Sequence, residues 1–159
     1  MMNSVRRSSV AMWASAILLV GCAEAVQAQA ILTVLTVSGP PAPFVISTAV
    51  AGSEPAAITN SVTTYYVLDK KPAGTRKISA ALDSPMPPGT TLTIQLVPSA
   101  GATSLGPVSM DMTDRNLVVG IYKDNGSTLG ITYVFTATVS AGVVTSQSRN
   151  VTFTLSNYP

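Results

Sequence analysis

A strict alternation of apolar and polar side chains over residues 129–140, LGITYVFTATVS, constrains this fold more than any other feature of the chain. The odd-numbered positions from Leu129 to Val139 are apolar or aromatic, and the even-numbered positions are mostly Gly, Thr or Ser. Because successive side chains of a β-strand point to opposite faces, this period of two predicts a long strand with one buried face. Other strands must cover that face.

Shorter runs of the same kind occur along the chain, and turn-forming Pro, Gly and Asn residues separate them. No window shows the 3.6-residue period of an amphipathic helix with capping residues. The sequence therefore predicts an all-β, Ig-like antiparallel β-sandwich of about seven to eight strands. It holds a single cysteine, so no disulfide can form within one copy. The further strand candidates are 31–37, 61–68, 77–82, 91–97, 108–112, 117–122 and 150–156.

Two connecting segments carry their own predictions. The Pro- and Ala-rich segment 38–60 predicts a long connection with one edge strand at Phe44 to Ala49. The dipeptide Asn125-Gly126 predicts a tight hairpin turn, because both residues accept a positive φ.

Residues 1–30 have the organisation of a secretory signal peptide, which leaves 31–159 as a single β-sandwich domain. Arg6 and Arg7 precede an apolar run that is too short to span a bilayer, and small residues follow it. Two outcomes remain open. Cleavage at VQAQA would release the chain, whereas LVGC at 19–22 resembles the bacterial lipobox and would make Cys22 a lipid anchor. Both outcomes predict export from a bacterial cytoplasm to the periplasm, the outer surface or the medium.

The composition beyond residue 30 argues against several classes of function. It contains no histidine and no cysteine, so the usual zinc and copper sites are not expected. Cationic and acidic side chains are nearly balanced there, seven against six, which gives no basic face for nucleic acid. The carboxylates stand mostly at turns, with no spacing typical of an acid/base pair. We therefore predict no enzyme activity, no cofactor and no metal.

The stretch KKPAGTRK gathers four cations around a Pro-Gly turn, namely Lys70, Lys71, Arg76 and Lys77. One interpretation is a basic hairpin tip that contacts a membrane surface or an acidic partner. The other is that these charges keep the hairpin soluble and block edge-to-edge pairing.

The two ends of the predicted domain carry the most specific pattern. The first is the apolar β segment ILTVLTV ahead of a Pro-rich linker, and the last is the alternating strand NVTFTLSNYP with a penultimate tyrosine. Together they resemble the subunits of bacterial chaperone–usher pili, a resemblance that implies an Ig-like sandwich and strand exchange between copies. The usual pilin disulfide is absent. The residues that the resemblance would place in exchange are Ile31, Leu32, Val34, Leu35, Val37, Val151, Phe153, Leu155 and Tyr158.

These patterns predict a non-enzymatic exported envelope protein that acts through contacts with other envelope proteins or with copies of itself. A structural or adhesive subunit of surface or fimbrial type fits best. An accessory subunit that stabilises a larger membrane complex from the periplasmic side is the alternative, and a hydrolase with an acidic site is a third hypothesis from another class.

Overall fold

A computed structural model of the protein describes residues 33–48, 50–69 and 74–159. They form nine β-strands and one 3-10 turn, Val139–Ala141. The strands are β1 (Thr33–Val37), β2 (Ile58–Asp69), β3 (Thr75–Leu82), β4 (Thr90–Leu96), β5 (Thr103–Ser104), β6 (Val108–Ser109), β7 (Arg115–Ile121), β8 (Asn125–Ala137) and β9 (Val151–Tyr158).

The strands pair into two antiparallel sheets. The five-stranded sheet has the order β1-β2-β8-β4-β6, and the four-stranded sheet has the order β5-β7-β3-β9. Strands that follow one another in the chain, such as β2 and β3 or β7 and β8, belong to different sheets. This confirms the predicted all-β antiparallel sandwich, and it shows that most connections cross from one sheet to the other.

The core lies between the two sheets and takes alternate residues from both, as the period of two requires. In β8, Ile131 and Tyr133 are buried as predicted, and Thr132 between them points to the opposite face of the sheet. Aliphatic side chains supply most of the rest. The buried apolar residues are Tyr65, Val67, Ile78, Ala80, Leu82, Leu92, Ile94, Leu96, Met110, Leu117, Val118, Ile121, Ile131 and Tyr133.

The prediction of a hairpin turn at Asn125-Gly126 is wrong. Both residues open β8, and the preceding strand β7 lies in the other sheet. The chain instead reverses at Lys123 and Asp124, where Asp124 Oδ1 accepts a hydrogen bond from the Gly126 amide at 2.9 Å. An aspartate that bonds the backbone two residues ahead replaces the tight turn.

The predicted edge strand at Phe44 to Ala49 is also wrong over residues 44–48, which form no strand; Ala49 lies outside the described residues. Pro41 and Pro43 lack the amide hydrogens that a strand ladder needs. Phe44 holds this segment in place, because its ring centroid lies 5.9 Å from that of Phe135 and 6.5 Å from that of Tyr133.

Gly89 occupies a turn that no other residue fits without strain. It has φ +73°, and a Cβ built on it would lie 2.8 Å from Thr138 Oγ1 and 2.9 Å from Ala141 Cα. Gly89→Ala should therefore combine backbone strain of about 1–2 kcal/mol with a steric clash of about 1–3 kcal/mol. Urea denaturation measures the sum as a loss in the free energy of unfolding.

Gly101 is the matched control for that substitution. Its φ is +80°, but nothing lies within 4 Å of the Cβ that alanine would add. Gly101→Ala should show the backbone strain alone. Equal losses for the two variants would mean that the close approach of the added Cβ to Thr138 and Ala141 does not lower the free energy of unfolding.

Candidate functional site

The longest unpaired edge of the four-stranded sheet belongs to β9. Four strands end the two sheets, and on one side of the sandwich these are β5 and β6, with two residues each. Such short strands present little backbone to another chain. On the other side, β9 offers eight residues of edge and β1 offers five. The backbone groups of β9 that point away from β3 form the largest template for a further strand.

The inward-facing side chains of β9 are less buried than their partners in β3. Leu155 pairs with Ile78, and Phe153 pairs with Ala80. Ile78 and Ala80 are fully buried, whereas Phe153 and Leu155, like Val151, remain partly exposed although they pack against the core. These three side chains carry apolar surface that the sandwich leaves uncovered.

β1 faces β9 across this uncovered side. Its inward residues Leu35 and Val37 are also only partly buried, and the two strands approach each other while belonging to different sheets. We call Leu35, Val37, Val151, Phe153 and Leu155 the open side of the sandwich. An open sheet edge next to exposed apolar side chains is the arrangement that accepts an extended peptide.

Other residues of the predicted exchange set lie elsewhere. Val34 is opposite Leu68 on the outer face of the five-stranded sheet, because it alternates with Leu35. Tyr158 falls on the outer face of the four-stranded sheet for the same reason, and its carbonyl oxygen accepts a hydrogen bond from Thr75 Oγ1 at 3.0 Å. Ile31, Leu32 and Cys22 lie outside the described residues.

The two described residues of the predicted basic group, Arg76 and Lys77, point to opposite faces of β3. Arg76 is only 7% exposed, and its Nε lies 3.5 Å from Oδ2 of the buried Asp69. Lys77 is opposite Ser156 on the outer face of the sheet, whereas Lys70 and Lys71 lie outside the described residues. β2 and β3 lie in different sheets and do not pair with each other as a hairpin.

The sequence patterns do not single out Asp69, although its side chain links three strands. Its Oδ1 accepts a hydrogen bond from Thr33 Oγ1 of β1 at 3.0 Å, and its carboxylate pairs with Arg76 of β3. The alternation of β3 places Arg76 on the same face as Ile78, which is a signal that the arginine points inward. The alternation of β2 likewise places Asp69 on the same face as Tyr65 and Val67, but it does not show that the two side chains meet across the sandwich.

The two buried carboxylates have different hydrogen-bond and ion-pair partners among the described residues. Asp124 lines a cavity of about 150 Å³ together with Ser99, Tyr122 and Lys123, whereas Asp69 does not line it. Asp124 Oδ1 accepts hydrogen bonds from the Gly126 and Ser127 amides at the start of β8, and Asp69 pairs with Arg76. Both arrangements stabilise the fold.

Asp111 forms an ion pair with Arg115. Hydrogen bonds from the Arg115 guanidinium and the Thr113 amide lower the pKa of Asp111 to about 2. Within residues 33–48, 50–69 and 74–159, no three acidic, histidine or cysteine side chains are grouped as metal ligands would be. In the same ranges no helix is long and apolar enough to cross a membrane.

Comparison with known proteins gives one structural likeness. No protein-family model matches the chain, and no curated protein matches it. One solved structure, a chaperone–usher pilus studied for the molecular basis of rod uncoiling, is similar, with a TM-score of 0.41 and 13% identity over 99% of both chains.

Proposed function

We propose that this protein is an exported, non-enzymatic structural or adhesive subunit of the bacterial envelope. It acts by contacts with copies of itself or with other envelope proteins. The observation that carries the proposal is the edge of β9, which is eight residues long, pairs with no described strand on its outer side, and is lined by the partly exposed Val151, Phe153 and Leu155.

An extended segment from a partner would stabilise this edge in two ways. Its backbone would pair with the outward amides and carbonyls of β9, and its alternate side chains would cover the open side. Covering apolar surface contributes roughly 25 cal/mol per Å². Pairing with backbone fixes the direction of the segment, and the spacing of Val151, Phe153 and Leu155 fixes its register.

The route to the envelope forms part of the proposal. Residues 1–30 serve as the signal peptide, and 31–159 form the mature domain. Cys22 is either removed with the leader or retained as a lipid anchor, and these two outcomes suit a free subunit and a membrane-attached accessory subunit, respectively. The segment 31–37 is a less direct donor than the sequence suggests, because Thr33–Val37 already pairs with β2 of its own chain.

Phe153→Lys tests the proposal, because it places a charge on the open side without entering the centre of the core. We expect the variant to fold but to lose the assemblies or partner complexes formed by the unchanged protein. Phe153 is already partly exposed, so the lysine ammonium can remain in water. Crosslinking followed by gel electrophoresis, together with electron microscopy, measures assembly, and circular dichroism checks the fold.

Thr154→Lys is the matched control, since it adds the same charge at the adjacent position on the outer face of the sheet. It should leave assembly unchanged. If Phe153→Lys assembles as well as Thr154→Lys, the open side is not the contact surface and the proposal fails.

A further inference from the structure

The cavity of about 150 Å³ that Asp124 lines is built from two separate turns. The turn after β4 contributes Ser99 and Ala100, the chain reversal between β7 and β8 contributes residues 122–125, and β8 adds Ser127. Apart from Ala100, each of these side chains carries an oxygen or a nitrogen atom. We call this space the Asp124 cavity, and its chemistry suits a small polar ligand.

One oxygen of the Asp124 carboxylate is buried without a hydrogen bond. Asp124 is 7% exposed, and its Oδ1 accepts hydrogen bonds from the Gly126 amide at 2.9 Å and the Ser127 amide at 3.4 Å. Its Oδ2 is shielded from solvent and has no hydrogen-bond partner among residues 33–48, 50–69 and 74–159. A buried charge without a partner is costly, and proteins avoid the cost by pairing such charges or by binding a metal ion with them. A cation in the cavity would therefore stabilise Asp124.

The charge of Asp124 is not balanced by a cation in the described part of the chain. Lys123 is the adjacent cation, but it is exposed and its Nζ lies over Tyr122, 5.0 Å from the ring centroid. Asp124 forms no ion pair with a described residue. Burial and, second, the negative charge of Asp124 raise the pKa of Tyr65, so the field of the carboxylate reaches a core side chain.

The other polar groups of the Asp124 cavity are mostly oxygen donors of the kind that calcium prefers. Ser99 and Ser127 carry hydroxyl groups, and Asn125 carries an amide oxygen. Calcium takes six to eight oxygen ligands from carboxylates, amides, backbone carbonyls and water. A volume of about 150 Å³ holds roughly five waters, at about 30 Å³ each, so an ion and part of its hydration shell fit. The missing histidine and cysteine argue against zinc and copper, but not against an oxygen-bound ion.

We propose that the Asp124 cavity binds a calcium ion, with Asp124 as its one charged ligand. Ser99, Asn125 and Ser127 supply neutral oxygen ligands, and water completes the coordination. Calcium is favoured over magnesium, because magnesium demands a near-ideal octahedron and gives up its water reluctantly, whereas these ligands come from two separate turns. The ion links the turn after β4 to the start of β8, and its binding does not depend on the edge of β9.

The expected affinity is low, because a single carboxylate lines the cavity and the ammonium of Lys123 opposes a second positive charge. A dissociation constant of roughly 0.1–1 mM is the range of calcium-binding modules that work outside the cell. The full chain is purified in a chelator, dialysed, and titrated with calcium or magnesium at constant ionic strength. Calorimetry measures binding, and thermal unfolding should show a higher Tm with calcium, since the ion binds the folded state. Magnesium should raise the Tm less at the same concentration.

Two substitutions at the cavity should change calcium affinity in opposite directions. Asp124→Asn removes the ligand charge but keeps an acceptor for the Gly126 and Ser127 amides, and it should weaken binding at least about tenfold. Lys123→Gln removes the opposing charge and should tighten binding about twofold to fivefold. Asp114→Asn is the matched control, since Asp114 is exposed and does not line the cavity, and it should leave calcium affinity unchanged.

Three outcomes would overturn the inference. One is a Tm that calcium leaves unchanged or raises no more than magnesium does. Another is calcium binding by Asp124→Asn as tight as that of Asp114→Asn, with both circular dichroism spectra unchanged. The third is weaker calcium binding by Lys123→Gln, which would mean that the cavity attracts a ligand through its lysine. If Asp124→Asn fails to fold, Lys123→Gln decides the matter alone, because Lys123 is exposed and its substitution leaves the core intact.

Discussion

Asp69→Asn is expected to lower the free energy of unfolding by about 3–5 kcal/mol, because it leaves a buried arginine without its counter-ion. Arg76 is 7% exposed and its Nε lies 3.5 Å from Asp69 Oδ2, so water cannot replace the lost charge. The amide of asparagine has nearly the shape of the carboxylate, which keeps packing almost unchanged. The hydrogen bond from Thr33 Oγ1 can also persist, so the loss reports the charge.

The chain contains its own control for this effect in a second aspartate–arginine pair. Asp111 and Arg115 form an ion pair with both side chains about half exposed. Asp111→Asn should shift the urea midpoint little, since exposed pairs are screened by solvent. Comparable losses for Asp69→Asn and Asp111→Asn would show that burial does not increase the contribution of the Asp69–Arg76 pair to the free energy of unfolding.

Ile94→Ala should destabilise the protein by about 2–5 kcal/mol, because it opens a cavity in the middle of the core. Ile94 is 0% exposed, and its strand β4 is paired on both sides, with β8 and with β6. The surrounding strands therefore cannot move in to fill the space. Thermal and urea denaturation both measure the loss.

Two further substitutions give reference values for the loss in the free energy of unfolding. Ile94→Val removes a single methyl group and should cost about 0.5–1.5 kcal/mol. Val62→Ala, at a position that is 78% exposed, should have almost no effect. If Ile94→Ala costs no more than Val62→Ala, Ile94 does not lie in a close-packed core.

The strands with clear alternation could be predicted from the sequence because their pattern is local. β4, β8 and β9 lie within about four residues of the runs 91–97, 129–140 and 150–156. The 3-10 turn at Val139–Ala141 ends β8 early, and the hydrogen bond from the Thr138 amide to the Gly89 carbonyl at 2.8 Å fixes that end. This contact joins residues 49 positions apart, so no local pattern contains it.

The candidate site was harder to predict because an edge is a property of the whole sheet. Val151, Phe153 and Leu155 have the alternation of any half-buried strand, and only the strand order shows that β9 has a neighbour on one side. Arg76 illustrates the same limit, since its partner Asp69 comes from the other sheet. The local sequence around the Pro-Gly turn predicts that Arg76 is an exposed cation. In the structure Arg76 is buried, because it pairs with Asp69 of the other sheet.

The unequal lengths of the edge strands limit the number of neighbours that one copy can bind through its backbone. β5 and β6 are two residues long, whereas β9 on the other side of the sandwich offers an edge of eight residues. Two copies that joined through β9 alone would use up both edges and stop at a symmetric pair. Growth into a filament through backbone pairing therefore requires that each copy offer a separate segment as well as an edge, and such growth extends in one dimension without branching.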